Sequence, residues 1–351
     1  MIPGTTVGKV ERVDIQQVHP EELERFLAWA HRGASPDELA IIKDEYLQRQ
    51  RLVDGPLPLV ATLRENWVAG AYFTCLPGRL AMLGAVRAID GCLALGSSLL
   101  KSLADRLGNE LPILQIQAAV READQAARQM LDMAGFQPLT VVDQIWLALP
   151  SNQQNSAPES TARSLDRHDF SQESCQPNGK NHLDAVSARS HRLNWSPARL
   201  MEKKSFIDLL MATFEETMDC PELNGLRSGA EVLASFLMGQ NLDSMNLWEI
   251  AWCEAKPVGC LMLTEHPNGV IEVAYMGLIR SARGQGFGRL LIERAKQVTS
   301  QLGSTTLVLA VDCRNTPALK TYTRSGFQHH QRLQVYYLPL AIRLSNDHLM
   351  T

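Results

Sequence analysis

The chain has 351 residues, a net charge of −4, 45% apolar and 21% charged residues, a length that suffices for two ordinary domains with a core each. The slightly acidic balance argues against a broad nucleic-acid-binding surface. Seven scattered cysteines with no C-x-x-C pair suggest neither a disulfide framework nor a zinc site, and the absence of an apolar leader or of a run of about 18 apolar residues suggests a soluble cytoplasmic protein without membrane contact.

In chain order, residues 8–18 read as a first strand, and Glu21–His31 and Asp37–Gln50 as amphipathic helices. Pro58–Ala88 holds three strand-like runs, with Pro77-Gly78 as a turn signal. A helix is expected over Ser97–Leu107, a strand over Ile113–Val120, a helix over Glu122–Met133 and a strand over Val141–Leu149. Residues 151–182, rich in Ser, Gln, Asn and charge, cannot bury enough apolar surface to offset their ordering entropy and read as a flexible linker. The second half then repeats the order: a strand near Leu183–Trp195, helices over Lys203–Met218 and Gly229–Met238, and strands over Leu247–Ala255, Val258–Glu265 and Val270–Ile279. A helix closed by Gly303, the run Thr306–Asp312, a helix capped by Asn315 and a strand around Leu333–Leu338 complete it.

Between the strand ending at Ile279 and the helix carrying Leu291, Ala295, Val298 and Leu302 lies Arg283-Gly284-Gln285-Gly286-Phe287-Gly288. Glycines at a helix start let an anion reach amides that have no intrahelical partner, at the positive end of the dipole. The spacing is neither the dinucleotide G-x-G-x-x-G nor the Walker loop. It resembles the R/Q-x-x-G-x-G/A segment of the GNAT N-acetyltransferase superfamily, which holds the pyrophosphate of acetyl-coenzyme A. Downstream, Asn315, Ala318, Tyr322, Gly326 and Phe327 are similar to the N-x-x-A-x-x-x-Y-x-x-x-G-F element of the same superfamily. The resemblance covers the second half of the chain.

The halves are related to each other. Placing Leu278 on Val86 puts Gly288 on Gly96, and the closing Gly326-Phe327 falls on Gly135-Phe136 with one residue of slippage. In this alignment Arg283, Gly284, Gly286, Tyr322 and Glu272 face Gly91, Cys92, Ala94, Leu131 and Leu80. The expected architecture is α/β (α+β mixed): two tandem GNAT-like domains, each a mixed, mostly antiparallel sheet flanked by helices. Residues 1–150 would be a degenerate copy and 183–351 the working one, a layout resembling mycothiol synthase-type members of the superfamily.

The resemblance implies direct acetyl transfer from acetyl-CoA to an amine, with no metal. It makes Tyr322 the acid that protonates the leaving thiolate, against a tyrosine that merely packs its ring. It makes Glu272, a carboxylate in an otherwise apolar strand, the general base, against a solvent-facing strand glutamate. Met276, Gly277 and Leu278 would offer a splayed strand edge to the pantetheine arm and polarise the thioester carbonyl. Arg283, Gly284, Gln285, Gly286, Phe287, Gly288 and Arg289 would provide pyrophosphate amides and charge, and Asn315 would cap its helix and touch the cofactor. Arg280 replaces a common proline and either reaches a phosphate or faces solvent. Arg314 contacts the adenosine end or lies on the surface, and Asp219 and Glu222 either hold a cationic amine or serve a capped loop. A small-molecule amine is the first expectation for the acceptor and a protein amine the second. A non-catalytic acyl-CoA sensor or scaffold is the competing reading, and it needs neither Glu272 nor Tyr322.

Overall fold

The computed structural model describes residues 13–63, 65–150, 192–238, 242, 245–266 and 268–340. The expected linker 151–182, the start of the first strand and most of the strand expected near Leu183–Trp195 lie outside these residues. Described are strands β1 (Asp14–Gln17), β2 (Leu59–Leu63), β3 (Asn66–Leu76), β4 (Leu80–Ala88), β5 (Gln115–Arg121) and β6 (Gln137–Ala148) in the first half. The second half holds β7 (Asn194–Pro197), β8 (Trp248–Cys253), β9 (Lys256–Glu265), β10 (Ile271–Leu278), β11 (Thr306–Asp312) and β12 (Gln328–Pro339). Helices α1 (Leu23–Ala30), α2 (Pro36–Leu52), α3 (Leu93–Glu110) and α4 (Gln125–Ala134) belong to the first half; α5 (Lys203–Phe214), α6 (Gly229–Leu237), α7 (Phe287–Gln301) and α8 (Thr316–Arg324) belong to the second.

The helices follow their local signals. Ser35 and Glu38 form a capping box at the start of α2, and Ser228 and Glu231 repeat it at α6. Asp124 and Asn315, placed on each other by the repeat, cap α4 and α8 in the same way, each accepting the amide three residues on. Helix α5 stops four residues short of expectation. Glu216 takes a left-handed conformation, and the Arg283 guanidinium donates to the Thr213 and Glu216 carbonyls that a longer helix would have used.

Where two sheets were expected, all twelve strands form one, in the order β1-β2-β3-β4-β5-β12-β6-β11-β10-β9-β8-β7. Only β4–β5 and β10–β11 are parallel, so the sheet is mixed and mostly antiparallel. The order is a pseudo-two-fold with its axis between β12 and β6. The last strand of each half leaves its own half: β6 pairs with β11 from Thr306↔Ala148 to Asp312↔Val142, and β12 pairs with β5 from Leu333↔Arg121 to Pro339↔Gln115. A strand with a partner on both sides has no exposed edge.

Side chains follow the exchange. Tyr336 of β12 is 1% exposed within the core that α3 and α4 form on the first half, and Ile145 and Leu147 of β6 complete the core under α7 and α8. Full burial of one such side chain is worth about 1.5–3 kcal/mol. Each half therefore depends on the other for part of its core. On the opposite sheet face, α1 and α2 cover an aromatic cluster of Phe26, Tyr46, Trp67 and Tyr72, and α5 and α6 cover Trp248, Ile250 and Met262. The halves also meet at the β3–β4 turn. Arg79 pairs with Glu231 at 3.3 Å, and Arg227 donates to the Gly78 carbonyl. Gly78 has φ +82, and a Cβ there would lie 2.0 Å from the Glu231 carbonyl oxygen, so only glycine fits.

Candidate active site

Strand β10 pairs with β11 only at Ile271↔Leu307 and Glu272↔Val308, then leaves it. β10 stays bonded to β9 as far as Leu278, and β11 stays bonded to β6. Ala274 is an extra residue in β10, a bulge that bends the strand. The parting strands open a cleft of about 1040 Å³, lined by Tyr275–Leu278 on one side, Ala310 and Val311 on the other, and the glycine loop and α8 at its ends. Hydrogen-bonding groups on the β10 edge that faced β11 are turned to this cleft.

Met276 and Leu278 pack their side chains toward the core under α7, so the cleft meets their main chain. Gly277 faces α5: a Cβ there would lie 2.5 Å from the Tyr275 hydroxyl and 2.8 Å from Thr213 Cβ. Its smallness therefore serves a close approach rather than the bulge. The Tyr275 hydroxyl and Thr213 Oγ1 are 2.7 Å apart, which ties β10 to α5.

Gly284 and Gly286 have φ of +76 and +82, and Gly286 caps α7 in that left-handed state. Nothing lies within 4 Å of where a Cβ would be on Gly284, Gly286 or Gly288. The loop is therefore open at the helix start, while Phe287, 2% exposed, anchors it in the core beneath. The Arg283 side chain braces the loop: it donates to the carbonyls of Leu278, Thr213 and Glu216 at 3.0, 2.9 and 3.0 Å. With its guanidinium so occupied, Arg283 organises the loop instead of bringing free charge to it. The amides of Arg283 and Arg289 are likewise bonded, to the Arg280 and Gly286 carbonyls. Gln285 donates to the Ser281 carbonyl, and Arg280 pairs with Glu216. Other cationic side chains on the cleft wall are Arg289 at the loop and Arg324 on α8, which both line it.

Tyr322 lines the cleft from α8, 7% exposed, its ring edge-on to Phe327 at 5.5 Å. Burial first, and the negative charge of Asp219 second, raise its pKa, so its hydroxyl stays protonated at any working pH. Asn315 lines the same wall while capping α8.

Glu272 stands elsewhere. It is not among the lining residues; it lies four positions before Met276, roughly 13 Å along a strand that rises ~3.3 Å per residue. Its carboxylate is 2.8 Å from His266 Nε2, on the β9–β10 hairpin, and the pairing raises the histidine's pKa. The structure thus sets the Glu272 carboxylate beside His266 and outside the cleft lining, which begins on this strand at Tyr275.

The α5–α6 loop closes the cleft from the other side. Asp219 Oδ1 accepts the Asp312 amide at 2.8 Å, and Asp312 Oδ2 accepts the Cys220 amide at 3.1 Å, a reciprocal clasp between loop and β11. Asp312 is 0% exposed; burial works to raise its pKa, but hydrogen bonds from Arg314 and from the amides of Arg314 and Cys220 outweigh it and hold the carboxyl low. Arg314 is committed to Asp312 and Glu222, so both open expectations for Arg314 and Glu222 resolve to a loop clamp. The sequence alone pointed to neither Tyr275 nor the brace by Arg283. The i,i+2 alternation to Gly277 was the one available sign for the tyrosine; the carbonyls that hold Arg283 are far away in sequence and left none.

Residues 210–327 match the Acetyltransferase (GNAT) family, about a third of the chain. This segment is a GNAT domain. A mycothiol acetyltransferase from Jonesia denitrificans is 38% identical over 79 residues, 22% of this chain and 25% of that one; another from Geodermatophilus obscurus is 35% identical over 79 residues, 22% and 24% of the two chains. The aligned part is thus about a quarter of these curated relatives. Over the whole chain, a GCN5-related N-acetyltransferase from Sphaerobacter thermophilus superposes with a TM-score of 0.59 at 17% identity, covering 93% of this chain and 96% of that one. A tandem GNAT protein from the clavulanic acid biosynthesis pathway superposes with 0.52 at 14%, covering 94% and 99%. The chain has the tandem GNAT architecture, and the parting of β10 from β11 is where that fold opens.

Proposed function

We propose that the chain is an acetyl-CoA-dependent N-acetyltransferase that works through its second half, with the first half structural. The observation that carries this is the coincidence, in one half only, of a parted strand edge, an open glycine loop and a cleft-lining tyrosine. The open space at Gly284, Gly286 and Gly288 fits a pyrophosphate at the N-terminus of α7. The free edge at Met276–Leu278 suits the amides of a pantetheine arm, and a main-chain N–H there would polarise the thioester carbonyl.

Transfer is direct in this reading. Among the described residues no cysteine lines the cleft, and burial, with Asp219 and Asp312 nearby, pushes the adjacent Cys220 thiol up to about 12, which leaves it a poor nucleophile. The amine attacks the thioester carbon, the C–S bond breaks, Tyr322 gives its proton to the departing sulfur, and the nitrogen loses a proton to solvent as the amide forms, from which Tyr322 is reprotonated. A small-molecule amine is the favoured acceptor in this reading. The tandem relatives' acceptors are theirs and are not carried over.

Tyr322→Phe separates enzyme from sensor. The enzyme reading expects turnover of acetyl-CoA to fall by about 10²–10⁴-fold with acetyl-CoA affinity kept. Unchanged acyl transfer in the variant would remove Tyr322 from the chemistry.

A further inference from the structure

With Glu272 bonded to His266 and outside the cleft lining, the group on the cleft wall that takes a proton from the amine is open. We propose that Asp219 is that group: it holds the protonated acceptor amine at the mouth between the α5–α6 loop and α8, and takes its proton before attack. This rests on the acetyltransferase reading above.

Four observations converge. Asp219 lines the cleft, open to it on one side and crowded by protein on the others. Among the described residues its carboxylate accepts one hydrogen bond, from the Asp312 amide to Oδ1, so Oδ2 is left to the cleft. The turn that carries it is bent into place by two left-handed residues, Glu216 and Cys220 at φ +48 and +45, conformations that cost of order 1–3 kcal/mol and persist where the surroundings enforce them. Finally, Asp219 lines the same cleft as Tyr322, Tyr275 and the parted strand edge, and its negative charge helps raise the pKa of both tyrosines.

The electrostatic setting suits a base. Crowding by protein raises the Asp219 pKa and the nearby Asp312 carboxylate adds to this; the Asp312 amide and Arg314 oppose it. The other groups facing it are neutral Tyr322 and Tyr275, with the Cys220 thiol on its own loop and Arg283, whose charge is spread over three carbonyls. A carboxylate with a raised pKa is a stronger proton acceptor. The proton balance closes: one proton passes from the ammonium nitrogen to Asp219, the neutral amine forms its N–C bond as C–S breaks, the Tyr322 proton goes to sulfur, and the second nitrogen proton passes to solvent as the amide forms. The Asp219 proton leaves with solvent when the products do, and Tyr322 is reprotonated from it.

The test uses the full chain, acetyl-CoA and two small nucleophiles: n-butylamine, protonated at neutral pH, and hydroxylamine, which is not. Asp219→Asn is expected to lower butylamine acetylation by about 10²-fold and hydroxylamine acetylation by less than threefold, with acetyl-CoA affinity unchanged by calorimetry. The acid limb of the butylamine pH profile should vanish in the variant. Equal losses with both nucleophiles would mark a merely structural residue, and no loss with either would overturn the proposal. If the unaltered protein binds acetyl-CoA but acetylates neither, the acetyltransferase reading itself fails and takes this proposal with it.

Discussion

The two halves share a fold and differ in what fills one place. In the second, a Cβ on Gly288 would meet nothing within 4 Å; in the first, a Cβ on Gly96 would lie 2.2 Å from the sulfur of Met130, itself 1% exposed. Leu131, 0% exposed, occupies the position of Tyr322. The turn geometry differs too, since Gly91 has a φ of +80 where the aligned Arg283 has −72. The β4–β5 pair even parts after Met82↔Gln117, as β10–β11 does. So the parting of strands belongs to the fold, and a site arises only where the side chains leave it empty.

Substitutions at matched positions sharpen this contrast. The largest effect is expected at Tyr322→Phe, a turnover loss of about 10²–10⁴-fold, whereas Leu131→Met in the first half should leave steady-state turnover unchanged and cost under about 1.5 kcal/mol in urea unfolding. Next comes the glycine pair. Gly288→Leu should weaken acetyl-CoA binding at least tenfold by calorimetry with stability unchanged, because its side chain enters open space. Gly96→Ala should do the opposite, costing about 1–3 kcal/mol in urea unfolding by overpacking against Met130 and sparing affinity. A smaller effect follows at the seam: Asp143 of β6 is 7% exposed and accepts from Arg332 of β12 at 2.7 Å. Asp143→Ala should cost about 1–2 kcal/mol, and unfolding should remain a single transition, since each half borrows a strand from the other.

The smallest effect is one of pH. The hydrogen bond from Glu272, then its charge, raise the His266 pKa above 6.5 against some burial. A raised histidine contributes stability that is complete below pH 6.5 and is lost as pH rises through the folded value. Both side chains are about a third exposed, so the contribution is ~0–1 kcal/mol. His266→Gln should flatten that part of the stability–pH curve, and an unchanged curve would show that the pair contributes nothing.

The sequence carried the local elements well. Thr306–Asp312 is a strand over the residues its β-prone run marked, and Asn315 and Gly326 bound α8 as their capping chemistry requires. It could not carry the strand exchange, because the apolar pattern of β12 fits a place beside β5 as well as one beside β11, and only the assembled sheet decides between them. The partner of Glu272 was hidden for a related reason. A carboxylate in an apolar strand must find a partner, and His266, across a hairpin turn, is one that spacing does not reveal. Asp219 was legible either as a holder of a cationic amine or as a loop residue; its place on the cleft depends on the clasp with Asp312, 93 positions away. The exchange also has a practical consequence. Cutting the chain into halves would strip β6 from one core and β12 from the other, so whole-chain variants are the proper tests.

The most direct test of a working half beside a filled one is a calorimetric titration of acetyl-CoA into the full chain. The account predicts one site per chain, abolished by Gly288→Leu and indifferent to Gly96→Ala. Two sites, or a single site that survives Gly288→Leu, would contradict it, since the first half would then bind despite Met130 and Leu131.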